Sequence, residues 1–472
     1  MSTAFRSPSS MKDTGLSWIP NIPSHWDVKR AKLILREVDS RSANGDEVLL
    51  SVSQYTGVTP RRTRDNSDEQ DTRSERLVGY KKVAAGDLVV NIMLAWNGSL
   101  GASKFDGVVS PAYCVYRFEG DNQPDYYHHL LRTDAYNGRI KVDSRGVVDS
   151  RLRLYSENLF RVELPVPPPD EQAQIVRFIR HLDQRVNRLI KTKRRLIELL
   201  NEQKQAIIHR AVTRGLDPTV PLKPSGIDWL GDVPEHWTIR KVSRTFRTTG
   251  SGTTPSTGNR TYYDEGEIPW VITGDLKNCE LHTTSKFVTP HALQDCSALK
   301  MFPAGSVIVA MYGATIGKVG LLRIPACVNQ ACCVLANSPF MSPEYAAQLF
   351  IAFRDDIVRL GVGGGQPNIS QDIIKQLRLS VPPLQEQDDI LKVVGESTHG
   401  FDQAISKASS EIDFIREYRT RLVADVVTGQ LDVRPHPWAN TEIGESTEAI
   451  THDAELEDDL EETDDVLEEA GV

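Results

Sequence analysis

The amino-acid sequence predicts an α+β protein in which two globular α/β domains are separated by a pair of long antiparallel coiled-coil helices. Two repeats support this fold class. Residues 170–213 and 385–428 align without a gap at an offset of 215 residues, and both have helical periodicity. A shorter repeat precedes each of two long intervening segments, so the chain has a pseudo-twofold internal repeat.

Both long helical segments carry residues at alternating spacings of four and three, the pattern of a coiled coil. A helix of about 40 residues would be about 60 Å long, and its apolar seam needs a partner. The other copy is the nearest candidate; two unrelated amphipathic helices in ordinary cores are the alternative. The residues predicted to pair the helices are Val186, Ile190, Ile197, Leu200 and Ile207 in the first copy and Phe401, Ile405, Ile412, Ile415, Leu422 and Val426 in the second.

The two segments also begin and end alike. VPPPDEQ at 166–172 corresponds to VPPLQEQ at 381–387, and prolines suit the approach to a helix and its first turn. VTRGLD at 212–217 corresponds to VTGQLD at 427–432. We therefore predict that Gly215 and Gly429 terminate the helices.

The shorter repeat is a tryptophan box. GLSW and IPSHW within residues 15–26 recur as GIDW and VPEHW within 226–237, at an offset of 211. No cluster of acid, base and nucleophile surrounds either copy in the sequence. The preferred interpretation is structural, with aromatic residues packing a loop against a helix end.

The bodies between the repeats differ in sequence but share a strand-rich late part. In the first body, residues 84–93 and 107–118 are β-branched runs broken by glycine and proline. In the second body, residues 303–320 and 325–335 have the same character, and Cys332-Cys333 is predicted to lie in a buried strand. These patterns are typical of strands and turns.

Composition sets the limits on the class of protein. The 472 residues suffice for two or three domains, and 39% are hydrophobic and 25% charged. No apolar run reaches the about 20 residues of a membrane span, and the N-terminal stretch lacks the apolar core of a signal peptide. The six cysteines show no paired spacing, which predicts no metal site and, with the preceding points, a cytoplasmic protein.

Charge is distributed unevenly along the chain. The net charge is −9, but residues 441–472 hold 14 acidic residues and no lysine or arginine. The remaining residues hold 50 acidic and 55 basic side chains, so the body of the protein is mildly basic. Such a tail is usually disordered and solvated. The alternative is that it mimics nucleic acid and shields a basic surface.

Three stretches, at 215–237, 250–276 and 363–387, resemble the specificity subunits of type I restriction-modification enzymes. They read GLDPTVPLKPSGIDWLGDVPEHW, GSGTTPSTGNRTYYDEGEIPWVITGDL and GGGQPNIS running into LRLSVPPLQEQ. The resemblance covers nearly all of residues 13–433. The first body lacks the TTPS-type opening and has GVVDSRLRL at 146–154 in place of the third stretch. That departure indicates a different DNA half-site.

The resemblance implies a non-catalytic DNA sequence-specificity subunit whose two target-recognition domains read the halves of a bipartite site. The helices would set the spacing and dock the partners: two adenine-N6 methyltransferase subunits, with endonuclease and translocase subunits completing the complex. S-adenosylmethionine, ATP and magnesium are expected on those partners, and no cofactor in this chain. The alternatives are a coiled-coil protein–protein adaptor that does not bind DNA and a DNA-binding nuclease scaffold.

The implied domain organisation follows the repeats. The predicted segments are an arm with the first Trp box (1–26), the first recognition domain (27–165), the first helical region (166–217), a connector with the second Trp box (218–237), the second recognition domain (238–380), the second helical region (381–433) and the acidic tail (434–472).

Candidate DNA contacts are basic and amide side chains, which bind phosphates and read base edges. A solvated charged loop is an equally good explanation of any one of them. The candidates in the first body are Arg61, Arg62, Arg64, Lys81, Lys82, Lys104, Arg145, Arg151 and Arg153. Those in the second body are Thr253, Thr254, Arg260, Lys286, Lys300, Lys318, Gln366 and Asn368. No residue is predicted to be catalytic, and His128 and His129 are predicted to lie on the surface.

Overall fold

The computed structural model describes residues 6–61, 77–146, 151–361 and 368–441. The chain divides into two compact units. The first unit comprises residues 1–193 and 411–472, and the second comprises residues 194–410.

Helices and strands alternate irregularly in both units. The helices are α1 (Pro124–Leu131), α2 (Asp134–Asp143), α3 (Ser156–Leu159), α4 (Pro169–Arg214), α5 (Val242–Thr245), α6 (Pro290–Asp295), α7 (Pro343–Ala352), α8 (Arg354–Arg359), α9 (Gln371–Gln376) and α10 (Leu384–Val427). The strands of the first unit are β1 (Met11–Leu16), β2 (Ile19–Pro23), β3 (Asp27–Arg30), β4 (Leu35–Val38), β5 (Leu50–Ser53), β6 (Gly57–Pro60), β7 (Lys81–Val83), β8 (Leu88–Val90), β9 (Leu100–Ala102), β10 (Gly107–Val109), β11 (Cys114–Phe118) and β12 (Glu163–Val166). Those of the second unit are β13 (Leu222–Pro224), β14 (Asp232–Pro234), β15 (Thr238–Lys241), β16 (Thr248–Gly250), β17 (Ile268–Val271), β18 (Cys279–Leu281), β19 (Lys286–Val288), β20 (Val307–Ala310), β21 (Val319–Leu322), β22 (Cys327–Val328), β23 (Cys332–Ala336) and β24 (Arg378–Val381).

The two bodies contain the same sheet despite their different sequences. The order of the main sheet is β4-β11-β8-β9 in the first unit and β16-β23-β20-β21-β18 in the second. The first four strands therefore correspond one to one, and neighbouring strands among them are antiparallel. β18 is an additional strand, parallel to β21. This equivalence confirms that the repeat extends through the bodies.

Each body is closed by an antiparallel strand pair. β3, directly after the first Trp box, pairs with β12, directly before α4. β15, directly after the second Trp box, pairs with β24, directly before α10. The chain thus leaves each body beside the point at which it entered, so a body can be inserted between a Trp box and a helix.

The two long helices match the predicted segments within one residue at each end. Gly215 and Gly429 follow them with positive φ values of 72° and 74°, the left-handed conformation that ends a helix without steric cost for glycine. Both predicted stops are confirmed.

Pairing of the helices is antiparallel. In the first unit, Asp183 of α4 binds Arg419 of α10, with Oδ1 2.8 Å from Nε, and Lys193 lies 2.5 Å from Glu411. At successive paired positions, the residue number rises in α4 and falls in α10, so the two helices run in opposite directions. In the second unit, Ile208 of α4 shares a core with Ile390 of α10. The predicted fold class, with its antiparallel helix pair, is confirmed.

The predicted seam faces inward along both helices. Ile190, Ile412, Leu422 and Val426 are buried, and the other predicted pairing residues are half-buried: Val186, Ile197, Leu200, Ile207, Phe401, Ile405 and Ile415. Apolar residues at neighbouring positions, Leu189, Leu196, Leu199, Phe414 and Tyr418, are exposed instead.

The Trp boxes pack against the helix ends. Trp26 and Trp237 are fully buried in the two large cores. A Cβ placed on Gly429, beyond α10, would lie 3.0 Å from the ring of Trp26. A Cβ on Gly215, beyond α4, would lie 3.4 Å from the ring of Trp237. The structural interpretation of the Trp boxes is confirmed.

The cysteines, the apolar helices and the metal-ligating side chains were also considered in the sequence. Cys332 and Cys333 are buried in β23, as predicted, and all six cysteines are free. Within the described ranges, no helix is long and apolar enough to cross a membrane. No group of three or more metal-ligating side chains occurs in the same ranges.

Two local predictions differ from the structure. His128 and His129 lie within α1 and are half-buried rather than on the surface, because α1 packs against the sheet through β9. Residues 434–441, assigned by the sequence to the tail, pack against α4, because the apolar ring of Trp438 contacts Phe178. The rest of the tail, from residue 442, lies outside the described residues.

Candidate nucleic-acid interface

Four loops of the second unit meet at one end of its main sheet. The hydroxyl of Thr254 donates to Oε1 of Gln330 at 2.6 Å, which joins the TTPS segment to the turn before β23. The main-chain nitrogen of Met311, just after β20, donates to the oxygen of Ala331 at 2.8 Å. The main-chain nitrogen of Ile369 donates to the main-chain oxygen of Met311 at 2.9 Å. These bonds bring four sequence-distant stretches together at one edge.

Glycine makes this convergence possible. A Cβ on Gly252 would overlap the main-chain oxygen of Val328, so the TTPS segment can approach β22 only with glycine there. Tyr263 also fixes the segment, because its hydroxyl donates to the oxygen of Pro255 at 2.5 Å. Gly313 and Gly317 adopt positive φ values of 70° and 73° in the turn between β20 and β21.

The structure brings together only some of the predicted residues of the second body. Thr253, Thr254, Lys318 and Asn368 belong to the converging loops; Asn368 is exposed, and the other three are half-buried. Lys286 is exposed on β19, which belongs to a separate sheet with β17 and β22. Arg260 and Lys300 are exposed elsewhere on the same body, and Gln366 lies outside the described residues.

Two residues at this edge were missed by sequence reasoning. Gln330 is exposed and holds Thr254, and its side-chain amide is the group that pairs with adenine in the major groove. Tyr312 is also exposed, directly after β20. A polar Asn-Gln pair between two short apolar strands was the available signal for Gln330.

The equivalent edge of the first unit carries arginines. Arg145 and Arg153 exchange two main-chain hydrogen bonds of 2.9 Å, which close a loop that includes Arg151. The next residue, Leu154, donates to the oxygen of Ile92, just after β8, at 2.9 Å. Since β8 corresponds to β20, this bond is the equivalent of the bond between Ile369 and Met311. The predicted Arg145, Arg151 and Arg153 are therefore brought together.

Arg61 lies near the same edge. Tyr113 precedes β11, and its hydroxyl accepts a hydrogen bond of 3.2 Å from Asn91, the residue after β8. Burial raises the pKa of Tyr113, and the positive charge of Arg61 partly opposes that increase. The guanidinium of Arg61 is exposed, whereas Arg62 and Arg64 lie outside the described residues.

The three predicted lysines of the first body lie in different environments. Lys81 is only 7% exposed in β7, so its predicted DNA contact is contradicted, because a phosphate contact requires an accessible ammonium group. Its neighbour Lys82 is exposed but lies 2.9 Å from Glu47. Hydrogen bonds from Ser42 and Lys82 lower the pKa of Glu47 to about 2, so the carboxylate beside Lys82 is ionised at neutral pH.

Lys104 lines a cavity of about 630 Å³ in the first unit. The cavity also contains His128, His129, Arg132 and the ion pair between Asp183 and Arg419. Burial lowers the pKa of both histidines, and the nearby Arg132 lowers that of His128 further. The guanidinium of Arg132 donates to main-chain oxygens within the body, including those of Gly98 and Leu100 at 3.0 and 2.8 Å. Lys104 is exposed at this cavity, and its DNA contact stays a prediction.

A family model for the "Type I restriction modification DNA specificity domain" matches this chain at residues 62–199 and 234–401. The first match covers the first body from residue 62 onward, the second covers the whole second body, and each reaches into a long helix. The chain belongs to this family. The resemblance seen in the sequence is confirmed, and neither alternative, the adaptor or the nuclease scaffold, is favoured.

Individual relatives agree with this assignment along most of the chain. The putative type I restriction enzyme MjaX specificity subunit of Methanocaldococcus jannaschii is 19% identical over 432 residues, which are 88% of this chain and 96% of the relative. The specificity subunit of EcoR124I/EcoR124II from Escherichia coli is 21% identical over 284 residues, 56% of this chain and 64% of the relative.

One solved structure supports the fold. It comes from work on complex assembly and conformational transition of the type I R-M system, with a TM-score of 0.59 and 14% identity. The match covers 87% of this chain and 99% of the other. The specificity-domain family therefore accounts for the duplicated bodies and the helix pair.

Proposed function

We propose that each unit of this specificity-family protein reads one half of a bipartite DNA site. The observation that carries the proposal is the equivalence of the two sheet edges. The same strands end at these edges, yet one presents Arg145, Arg151 and Arg153 and the other presents Thr254, Gln330 and Asn368. One architecture with two different sets of polar side chains suits two different half-sites.

The chemistry of the two edges supports different modes of recognition. Arginine binds phosphate oxygens and pairs with guanine through two hydrogen bonds, whereas glutamine and asparagine pair in that way with adenine. The exchanged main-chain bonds of Arg145 and Arg153 position the arginine loop. Thr254 positions Gln330, whose amide nitrogen has no hydrogen-bond partner among the described residues.

The helix pair is proposed to set the spacing between the half-sites and to dock partner subunits. Its ion pairs and inward seam make it stiff. Its outward side carries exposed apolar residues in both units, and such residues are enriched at protein interfaces. They are Leu189, Phe414 and Tyr418 in the first unit and Leu196 and Leu199 in the second.

We assign these apolar residues to two DNA adenine methyltransferase subunits, with restriction subunits completing the complex. S-adenosylmethionine, ATP and magnesium would bind to those partners, so this chain would supply recognition without chemistry. A cytoplasmic location remains part of the prediction.

The deciding experiment is co-expression with the cognate methyltransferase subunit, followed by mapping of N6-methyladenine in host DNA. We expect one motif made of two defined parts around an unread spacer. Gln330→Ala should relax one part only, and Arg151→Ala should affect only the other. Arg244→Ala, at an exposed arginine of α5 in the second body that is not a candidate DNA contact, is the control and should leave both parts unchanged.

Two results would contradict the proposal. If Gln330→Ala and Arg151→Ala changed the same part of the motif, the assignment of one half-site to each unit would be wrong. A stable complex that methylates no defined motif and shows no salt-dependent binding to DNA would favour the adaptor, because binding through phosphate contacts weakens as salt is raised.

A further inference from the structure

The chain beyond α10 folds back onto α4 within the first unit. Nε of Arg177 donates to the oxygen of Ala439 at 2.8 Å, and Nε2 of His181 lies 3.1 Å from the oxygen of Thr441. The ring of Trp438 stacks on His181 with their centroids 6.1 Å apart. The last described residue is therefore held at a defined place on α4, and residues 442–472 start from that place.

One helical turn beyond His181, α4 carries a row of exposed basic residues, the α4 basic stripe: Arg185, Arg188 and Lys191. They are three residues apart, so they lie near one another along one side of the helix. The guanidinium of Arg185 lies 5.0 Å from the ring centre of Trp438. Arg188 and Lys191 have no ion pair within the described part of the chain. Like charges at this spacing repel one another, so a counter-charge would stabilise the stripe.

Residues 442–472 supply such a counter-charge. They contain 14 aspartates and glutamates and no basic residue other than His452, and Glu442, Glu445 and Glu448 come first. The distance from His181 to Lys191 along the helix is about 15 Å at about 1.5 Å per residue. An extended chain spans that distance with about five residues. The first glutamates are therefore within reach of the whole stripe.

We propose that residues 442–472 bind the α4 basic stripe in the same molecule and shield it from nucleic-acid phosphates. Attachment at Thr441 gives the tail a high effective concentration at the stripe, so individually weak ion pairs act together. Specific DNA binding at the sheet edges uses other residues and is not blocked. The tail therefore lowers non-specific binding without changing the sequence that is read.

Zero-length cross-linking of the full chain tests the contact directly. A carbodiimide activates a glutamate, which forms an amide with the amine of Lys191, and the departing carboxyl oxygen leaves in the urea by-product. Mass spectrometry should find Lys191 joined to Glu442, Glu445 or Glu448 at low salt and much less at high salt. Lys191→Arg keeps the charge but removes the amine, so it should eliminate this product.

A tail that cross-links to no lysine, or mainly to lysines elsewhere such as Lys82, would overturn the proposed contact. Since the cross-link does not require DNA, its failure is independent of the proposed function.

The shielding effect rests on the proposed function and is tested with DNA. A chain that ends at Thr441 should bind a duplex without the target sequence several-fold more tightly than the full chain at low salt. Adding Arg188→Gln and Lys191→Gln to the shortened chain should remove most of that gain. The methylated motif should be unchanged in all variants.

Cross-linking and DNA affinity test the contact and the shielding separately. Cross-linking without a gain in affinity on truncation would refute shielding while retaining the contact. A gain that persists after both stripe substitutions would refute the stripe as the shielded surface.

Discussion

Tyr126 of α1 donates its hydroxyl to the main-chain oxygen of Val427, 2.9 Å away, at the last residue of α10. In the second unit, Tyr345 of α7 donates its hydroxyl to the main-chain oxygen of Val212, 3.3 Å away, near the end of α4. Both tyrosines are fully buried. Each recognition body is thus fastened by its own helix to the end of the long helix that the other repeat supplies.

Tyr126→Phe should loosen the end of α10. The substitution keeps the ring but leaves a buried main-chain oxygen without its donor, at a cost of about 1–2 kcal/mol. Amide hydrogen exchange in the last turn of α10 should become faster. Tyr127→Phe is the matched control, because that hydroxyl donates to Asn122 within the body and not to a main-chain oxygen of α10. Equal exchange in the two variants would contradict the proposed fastening.

The two Trp boxes should differ in their sensitivity to the loss of the indole nitrogen. Nε1 of Trp237 donates to Oε1 of Glu386 at 3.0 Å, whereas Nε1 of Trp26 is buried without a protein partner among the described residues. Trp237→Phe should therefore destabilise its unit by about 1–3 kcal/mol more than Trp26→Phe destabilises the other. Local unfolding free energies from hydrogen exchange would measure both changes, and equal losses would count against the charged hydrogen bond.

Ile415→Glu should disrupt helix pairing, whereas Phe414→Glu should not. Ile415 is on the inward seam, and its neighbour Phe414 is 68% exposed. We expect a loss of about 1–3 kcal/mol for the seam variant and a change within about 0.5 kcal/mol for the exposed variant. Thermal unfolding and binding to the bipartite site provide the measurements.

In the second unit, Leu200→Glu and Leu199→Glu form the corresponding pair of variants. Specific DNA binding that survives both Ile415→Glu and Leu200→Glu would refute the spacing role. Reduced methyltransferase binding by Phe414→Glu at unchanged stability would support the docking role.

The first unit should lose stability as the pH is lowered below about 6.5. Burial holds the pKa of His128 and His129 below the ordinary value of a histidine. The unfolded chain therefore takes up protons in this range before the folded chain does, and stability falls with pH. The charged groups around the two imidazoles are Lys104, Asp125, Arg132, Asp183 and Arg419.

Replacement of both histidines with glutamine should flatten this pH dependence between pH 7.5 and 5.5. His291→Gln, at an exposed position in the second unit, is the control and should leave the dependence intact. Amide hydrogen exchange in α1, measured at pH 7.5 and at pH 5.5, would show whether the pH dependence of stability is lost in each variant. An unaltered slope in the double variant would rule out these histidines as the cause.

Sequence reasoning succeeded where the signal is local and periodic. The bounds of α4 and α10 follow from the apolar spacing, the preceding prolines and the glycine stops, all of which act within a few residues. It failed at Lys81, because side chains alternate between the two faces of a strand. Adjacent Lys81 and Lys82 face opposite ways in β7, and Lys81 lies on the buried face while Lys82 is exposed.

The repeat Pro124-Asp125-Tyr126 and Pro343-Glu344-Tyr345 was also visible in the sequence, but its meaning was not. The two tyrosines act on carbonyl groups more than 130 residues away in the chain. A contact at that separation depends on how helix and body pack, and no local pattern encodes it.

The sequence by itself determined the duplication, the two long helices, the family and the acidic tail. These features are visible in the sequence as repeats, apolar periodicity, motifs and local composition, respectively. The tertiary structure decided which polar residues share an edge. Thr254, Gln330 and Ile369 meet because antiparallel strands return distant loops to the same end of one sheet. In the other unit, Arg145 and Arg153 meet through an isolated antiparallel bridge across a short loop. Sheet edges of this kind depend on strand order and register, which only the folded chain possesses.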